Sequence, residues 1–323
     1  MFPATRRPGD PATRRPGDPA TRRPGDPATR RPGDPEAKAG WRGSVCFPRV
    51  QGGDIAGEVV EVGVGVDADR VGQRVVVDPA LYRDEARDAR PVGLLGSEAD
   101  GGFAEFVAVS AEQAHDVTDS PLSDEQLAAL PVAYGTAIGM LERASITQGE
   151  TLVVTGASGG VGLALVQLAA ARGAKVIAVT SASKAADVSA AGASHTVDRT
   201  AEDLAQQIGR HSPGGLDAVA DVAGGPLLAR LMPLIRDDGR WVIAGAVAGP
   251  VVDVDLRRLY LHNISLIGSS MHTRGHFATL LEAARSGAVQ PVIAARYALD
   301  DIATAQGHFT RGQHVGKLVL DVA

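Results

Sequence analysis

The stretch Thr151-Leu-Val-Val-Thr-Gly-Ala-Ser-Gly-Gly-Val-Gly162 joins an apolar, β-branched run to a glycine-rich turn and then to a helix. Leu152, Val153 and Val154 suit a strand buried on both faces. Gly156, Gly159 and Gly162 each have a separate steric reason: a tight turn, an approach of backbone to a pyrophosphate, and close packing of helix on strand. Val161, Leu165, Leu168 and Ala169 then repeat at helical spacing until Arg172 and Gly173 close the helix. Its first-turn N–H groups and positive dipole end would face phosphates. Strand, loop and helix in this order predict a dinucleotide site, with Gly156, Ser158, Gly159, Gly160, Val161 and Gly162 as its cradle.

Downstream the alternation continues. Lys175-Val-Ile-Ala-Val179 reads as a second buried strand, and Ser183 to Ala191 as a helix stopped by Gly192. His195-Thr-Val197 is a third strand, in which His195 is a strand residue rather than a ligand. Thr200 with Asp203 predicts a capping pair for a helix running to about Arg210. Further strands at Ala218–Val222, Arg240–Ala244 and Ile264–Gly268, with helices near Pro226–Ile235 and Asp255–Leu261, complete six strands. The fold class is therefore α/β, with a doubly wound parallel Rossmann sheet.

Upstream, glycine-punctuated runs at 54–62, 73–77 and 102–109 predict short strands of a curved antiparallel β unit. Ser123 with Gln126 predicts a capping box, Pro131 interrupts that helix, and a second helix carries Tyr134, Thr136 and Met140 toward the nucleotide strand. The tail from Val292 reads as strand, a helix capped by Asp300 and ended by Gly312, and strand Lys317–Leu320. It is expected to rejoin the β unit, which makes that domain discontinuous.

At 323 residues and 44% apolar content the chain is long enough for two domains. Its net charge is −6, but residues 3–34 carry a net +4, so the remainder is acidic. That balance argues against nucleic-acid and anionic-membrane partners. A single cysteine, Cys46, excludes an intramolecular disulfide framework and any multi-cysteine zinc site. There is no apolar run of membrane-spanning length, and the start does not read as a signal peptide, so the expected location is cytoplasmic. Residues 3–34 are four copies of Pro-Ala-Thr-Arg-Arg-Pro-Gly-Asp. Without large apolar side chains, residues 1–40 are expected to be disordered. The aspartate in every copy and the lack of aromatics argue against a nucleic-acid arm.

Several separate motifs, in order, resemble the medium-chain dehydrogenase/reductase superfamily, and within it the zinc-independent quinone oxidoreductase branch, the zeta-crystallin-like enzymes. They are Pro48-Arg-Val-Gln-Gly-Gly-Asp-Ile-Ala-Gly57, Val71-Gly-Gln-Arg-Val75, Gly101-Gly-Phe-Ala-Glu-Phe106, Gly149-Glu-Thr-Leu-Val153 before the loop, and His314-Val-Gly-Lys-Leu-Val-Leu320. The resemblance implies a GroES-like catalytic domain over 41–122 and 289–323, beside a Rossmann domain over 123–288. It also implies NAD(P)H in the cleft between them and a homodimer. It places Thr136 near the nicotinamide, with Val222 to Gly224, Ala244 to Ala246 and Ser269 to Met271 ending the strands that face it. Ala223, Ala244, Gly245 and Ala246 are thus cofactor-binding candidates, and Lys317 approaches the same cleft. The opening strands that the family builds from some forty residues before Phe47 have no counterpart in the repeat.

Zinc is not expected. Where zinc-dependent relatives carry Gly-His-Glu, this chain has Gly52-Gly53-Asp54, and residues 78–101 contain no cysteine. His272 and His276 are four apart, but Gly275 lies between them after a strand end, which argues against a metal pair. After the second strand, where NAD-specific folds place an acid, stands Thr180-Ser-Ala-Ser-Lys184. Thr180, Ser181 and Ser183 offer hydrogen bonds, and Lys184 and Arg199 offer positive charge, so NADPH is expected over NADH. Tyr134 is the candidate proton donor, with solvent as its alternative and simple helix packing as the structural one. The reading is an NADPH-dependent oxidoreductase passing hydride to a quinone, enone or similar electrophile. A catalytically impaired NADPH-binding protein and a zinc-independent alcohol or aldehyde dehydrogenase stay open beside it.

Overall fold

The computed structural model describes residues 48–322 and the backbone of Pro3–Thr5. The elements run β1 (Pro3–Thr5), β2 (Asp54–Glu58), β3 (Arg74–Val77), a short ladder of β4 (Ala80–Leu81) and β5 (Gly93–Leu94), and β6 (Ala114–Asp116). Helices α1 (Asp124–Ala128) and α2 (Pro131–Arg143) lead into β7 (Thr151–Val154), α3 (Gly160–Ala171), β8 (Lys175–Thr180), α4 (Ala185–Ala190) and β9 (His195–Asp198). Next come α5 (Leu204–His211), β10 (Leu216–Asp221), α6 (Leu227–Leu231), β11 (Ile235–Ile243), α7 (Leu256–Leu261), β12 (Ser265–Gly268) and α8 (Arg274–Ser286). β13 (Ile293–Ala298), α9 (Ile302–Arg311) and β14 (Lys317–Asp321) follow.

Strands β7 to β12 form one sheet in the order β12-β11-β10-β7-β8-β9, with every neighbouring pair parallel. The order reverses at β7, which is where open α/β sheets bind ligands. Leu152, Val153, Val154, Val176 and Ile177 are fully buried between helices on both faces, and each large side chain stabilises by about 1.5–3 kcal/mol relative to exposure. The apolar runs at these positions therefore encode the sheet directly.

The second sheet has the order β13-β14-β1-β2-β3-β6. β2, β3 and β6 pair antiparallel, whereas β13, β14, β1 and β2 pair parallel, so the unit is mixed rather than wholly antiparallel. The tail does rejoin it, through β14. β1 corrects the expectation for its three residues: Pro3–Thr5 lie between β14 and β2, where main-chain pairing needs no apolar side chain. The rest of the expected disorder over 1–40 lies outside the described residues. Among the described residues no helix is long and apolar enough to cross a membrane.

Ser123 and Gln126 form both halves of the capping box of α1, and Pro131 occupies the first turn of α2. Other local signals failed. Residues 102–109 are not a strand. A Cβ at Gly101 would lie 2.1 Å from the Gly52 carbonyl oxygen and one at Gly102 2.4 Å from Ile55, so this backbone is pinned edge-on and bends away. Thr200 does not cap α5, because its hydroxyl donates to Asp198 at 2.8 Å and Asp203 holds the N-cap. Asp300 lies in a 3-10 turn, and α9 begins after Asp301 without a side-chain cap. His195 opens β9 and stacks on His211 at 3.7 Å between ring centroids.

Candidate active site

The three glycines of the loop stand in different surroundings. Gly156 turns with φ of +59°. A Cβ at Gly162 would lie 2.2 Å from the Gly156 carbonyl oxygen, so this glycine lets α3 pack on the end of β7. A Cβ at Gly159 would meet only that same oxygen, at 3.6 Å, and no side chain caps α3. The start of α3 thus opens onto free space with its N–H groups forward, the arrangement that holds phosphate. The Gly316 N–H donates to the Ser158 carbonyl at 3.1 Å, joining the tail to the cradle.

A buried carboxylate that sequence reasoning missed organises the neighbouring strand ends. Asp221, last in β10, accepts from the Thr155 hydroxyl, from the Ala223 and Gly224 N–H groups, both at 2.9 Å, and from Trp241 Nε1–H at 3.2 Å. Four donors satisfy the charge in place of water, and they fix Val222 to Gly224 beside the glycine loop. The signal was an acid ending the buried run Leu216–Asp221, directly before Val222-Ala-Gly-Gly225.

At the end of β8 the Thr180 hydroxyl is buried without a partner, a polar atom suited to a ribose. The Ser181 and Ser183 hydroxyls lie 3.4 Å apart. Lys184 is more engaged than predicted: its Nζ donates to the Gly312 and His314 carbonyls at 2.8 and 2.9 Å, tying β8 to the tail. Burial and then Arg199 lower its pKa, so Arg199 stands nearby. Asp198, which precedes it, turns its carboxylate to Thr200.

Toward β12, the Thr136 hydroxyl reaches the Met271 sulfur at 3.6 Å, bringing two predicted residues together. Arg143 Nη1 donates to Ser269 Oγ and to the Met271 carbonyl at 2.9 and 2.8 Å. Tyr134 corrects the sequence reading. It is buried, its hydroxyl donates to Gln167 Oε1 at 2.8 Å, and burial pushes its phenol well above the ordinary value; it packs α2 on α3 and is a poor proton donor. Lys317 is also reassigned. Its Nζ bonds Asp54 Oδ2 at 2.8 Å while Asp54 Oδ1 accepts from the Val132 N–H at 2.6 Å, so only its aliphatic stem lies over Gly160. Ala244 and Gly245, which follow β11, are half-buried, and Ala246 is exposed.

His272 Nε2 bonds Asp78 Oδ1 at 2.8 Å inside the protein, and His276 accepts from the Thr273 N–H in the cap of α8, so the two histidines do not converge. A cavity of about 370 Å³ lies elsewhere, within the β unit among Ile55, Val75, Val77, Val107 and Val109.

Burial, followed by Arg143, holds His276 at about 4, and burial, followed by His308, holds His314 at about 4. In the unfolded chain both regain ordinary values near 6.5. Between these values the unfolded chain binds more protons, so stability is expected to fall as pH drops from about 6.5 to about 4. Urea midpoints across that range test this; replacing both histidines with glutamine should flatten the slope.

The chain matches the zinc-binding dehydrogenase family model over residues 160–286 and the alcohol dehydrogenase GroES-like domain model over 29–119. It is 30% identical to an acryloyl-coenzyme A reductase of Metallosphaera sedula, covering 85% of this chain and 83% of that one. It is 31% identical to a quinone oxidoreductase-like protein 2 homolog of Nematostella vectensis, covering 85% and 74%. Among solved structures, a Sinorhizobium meliloti 1021 protein assigned as an alcohol dehydrogenase matches at 43% identity and a TM-score of 0.83, covering 86% and 77%. The 2-octenoyl-CoA carboxylase reductase CinF, in complex with NADP and 2-octenoyl-CoA, matches at 28% and 0.74, covering 84% and 68%. A parallel sheet of this order, with a GroES-like β unit, is the architecture of an oxidoreductase family that binds NAD(P). The chain belongs to the medium-chain dehydrogenase/reductase superfamily, and relatives named for quinone oxidoreductases are among its matches.

Proposed function

We propose that the protein is an NADPH-dependent oxidoreductase that reduces a quinone, an enone or a similar small electrophile without zinc. The observation that carries this reading is the uncapped, open start of α3 at Gly159, facing the strand ends organised by Asp221. NADPH, when bound, supplies hydride from C4 of its nicotinamide. The α3 N–H groups would take its pyrophosphate, and Thr180, Ser181, Ser183 and Arg199 its phosphorylated ribose, with Lys184 adding charge from its tie to the tail. Val222 to Gly224, Ala244 to Ala246, Ser269 to Met271 and Thr136 would line the nicotinamide. With Tyr134 engaged by Gln167, the product's proton comes from solvent.

The zinc-free reading is supported by the donor set. Position 53 is glycine, and the Asp54 carboxylate is taken by Lys317 and Val132. An acceptor that is already electron-poor needs no Lewis acid on its oxygen, and relatives named for quinones, acryloyl-CoA and 2-octenoyl-CoA carry such acceptors in their names. The domain division at 122/123 and 288/289 belongs to the same reading. So do a cytoplasmic location and a homodimer, the latter supported by Leu266 exposed on the edge strand β12.

The test is NADPH consumption by purified, chelator-treated protein with 1,4-quinones and simple enones. Turnover is expected; tight binding without turnover would favour the impaired binder, and metal-free alcohol oxidation the dehydrogenase. Arg199→Ala is expected to weaken NADPH by about tenfold and leave NADH unchanged, since an Arg–phosphate contact is worth about 1.4 kcal/mol or more. Titration of both dinucleotides checks it; wild-type protein binding NADH more tightly would overturn the cofactor assignment.

A further inference from the structure

The segment after β12 is held from two sides. On one side, α2 presents Gly135, Gly139 and Arg143, four residues apart and so on one helix face. A Cβ at Gly135 would lie 2.3 Å from His272 Nδ1, and one at Gly139 2.4 Å from the Met271 carbonyl oxygen. Arg143 then bonds that carbonyl. On the other side stands Asp78, which follows β3 in the second sheet. Its buried carboxylate accepts from His272 Nε2–H at 2.8 Å, from the Ala80 N–H at 2.9 Å and from the Tyr82 hydroxyl at 3.0 Å. Arg274 in turn lies over the Tyr82 ring, 4.6 Å from its centroid.

Between these supports Met271 adopts a left-handed backbone with φ of +54°. A branched or long side chain takes that conformation only where its surroundings impose it, and such residues gather at functional sites. His272 Nδ1 is buried without a partner, so the ring depends on Nε2 and Asp78 for its orientation. Burial pushes the Asp78 carboxyl up, but His272 and the hydrogen bonds from His272, Ala80 and Tyr82 outweigh it and hold the group below the usual carboxylate range. The acceptor is therefore charged and stays in place at neutral pH.

We propose that His272 is a positioning residue for hydride transfer: clamped by Asp78, it holds Met271 against Thr136 and so fixes the nicotinamide end of the cleft across both sheets. This rests on the reading that Ser269 to Met271 face the nicotinamide. The pyrophosphate cradle and the ribose contacts lie at other strand ends, so losing the clamp should disturb geometry more than affinity.

The test uses the full-length protein and the fluorescence of bound NADPH, which reports nicotinamide surroundings independently of turnover. In His272→Ala, kcat is expected to fall about 10- to 100-fold, as for a displacement near 1 Å at a reacting centre. The NADPH dissociation constant should change less than about threefold, and bound NADPH should lose the emission change seen with wild type. His272→Gln, whose amide nitrogen can stand where Nε2 stood, should restore emission and most of kcat. Asp78→Ala should match His272→Ala, and the double variant should lose no more than either. A folded His272→Ala with wild-type kcat and emission would overturn the proposal. If the alanine variants do not fold, a folded His272→Gln lacking the wild-type emission would overturn it. If wild type binds NADPH without turnover, emission alone decides. If wild type binds neither dinucleotide, the reading of the cleft fails and the proposal with it.

Discussion

Replacing Gly162 with alanine is expected to remove NADPH binding and to destabilise the fold by about 3 kcal/mol, the upper range for overpacking a tight core. The new methyl group would sit 2.2 Å from the Gly156 carbonyl oxygen and 2.7 Å from the Ala157 Cα. Both are backbone atoms of the turn, so relief requires separating α3 from β7. Gly159→Ala is the contrasting variant. Its methyl group meets only one atom, at 3.6 Å, so the fold should keep its melting temperature while NADPH affinity falls about tenfold or more, because the methyl group enters the space a phosphate needs. Thermal melts paired with NADPH titrations of the two variants check this. Equal melting losses would mean that Gly159 is structural and that the opening before α3 is not a ligand site.

Asp221→Ala is expected to be the most destabilising change among the candidate site residues. It leaves the Thr155 hydroxyl, the Gly224 N–H and Trp241 Nε1–H without their acceptor, while the Ala223 N–H keeps Thr155 Oγ1 at 3.3 Å. A buried donor left unpaired costs about 1–3 kcal/mol, and partial rewetting of the partly exposed loop would bring the total to about 4 kcal/mol. Asp221→Asn keeps one acceptor oxygen but turns an NH2 toward donors, so about 2–3 kcal/mol is expected. Urea denaturation measures both. A loss under about 1 kcal/mol for alanine would show that the strand ends are held by packing alone and that Asp221 does not preset the loop.

The parts of the molecule that follow from local pattern were legible in the sequence. Buried strands such as Leu152–Val154 and Val176–Val179 announce themselves as apolar runs, and the glycine spacing carries the turn, the opening and the close packing at separate positions. Charge partnerships were not legible, because they join distant segments. Lys317 and Asp54 are 263 residues apart, and His272 and Asp78 are 194 apart. Lys184 similarly looked like a free phosphate ligand until the tail supplied two carbonyls. Tyr134 looked like a donor because periodicity puts it on α2 near Thr136, but one helical position decides whether a side chain faces the cleft or α3. The strand expected at 102–109 failed for the opposite reason. Its alternation is real, yet Gly101 and Gly102 press against residues 52 and 55, and tertiary contact overrides local preference.

The most direct test of metal-free hydride transfer is to incubate chelator-treated protein with NADPH deuterated at C4 and a simple enone, then analyse the product by mass spectrometry. Saturated product carrying deuterium on the carbon that accepted hydride, formed without added metal, is the expected result. NADPH bound but unconsumed, or product formed only after zinc is restored, would contradict it.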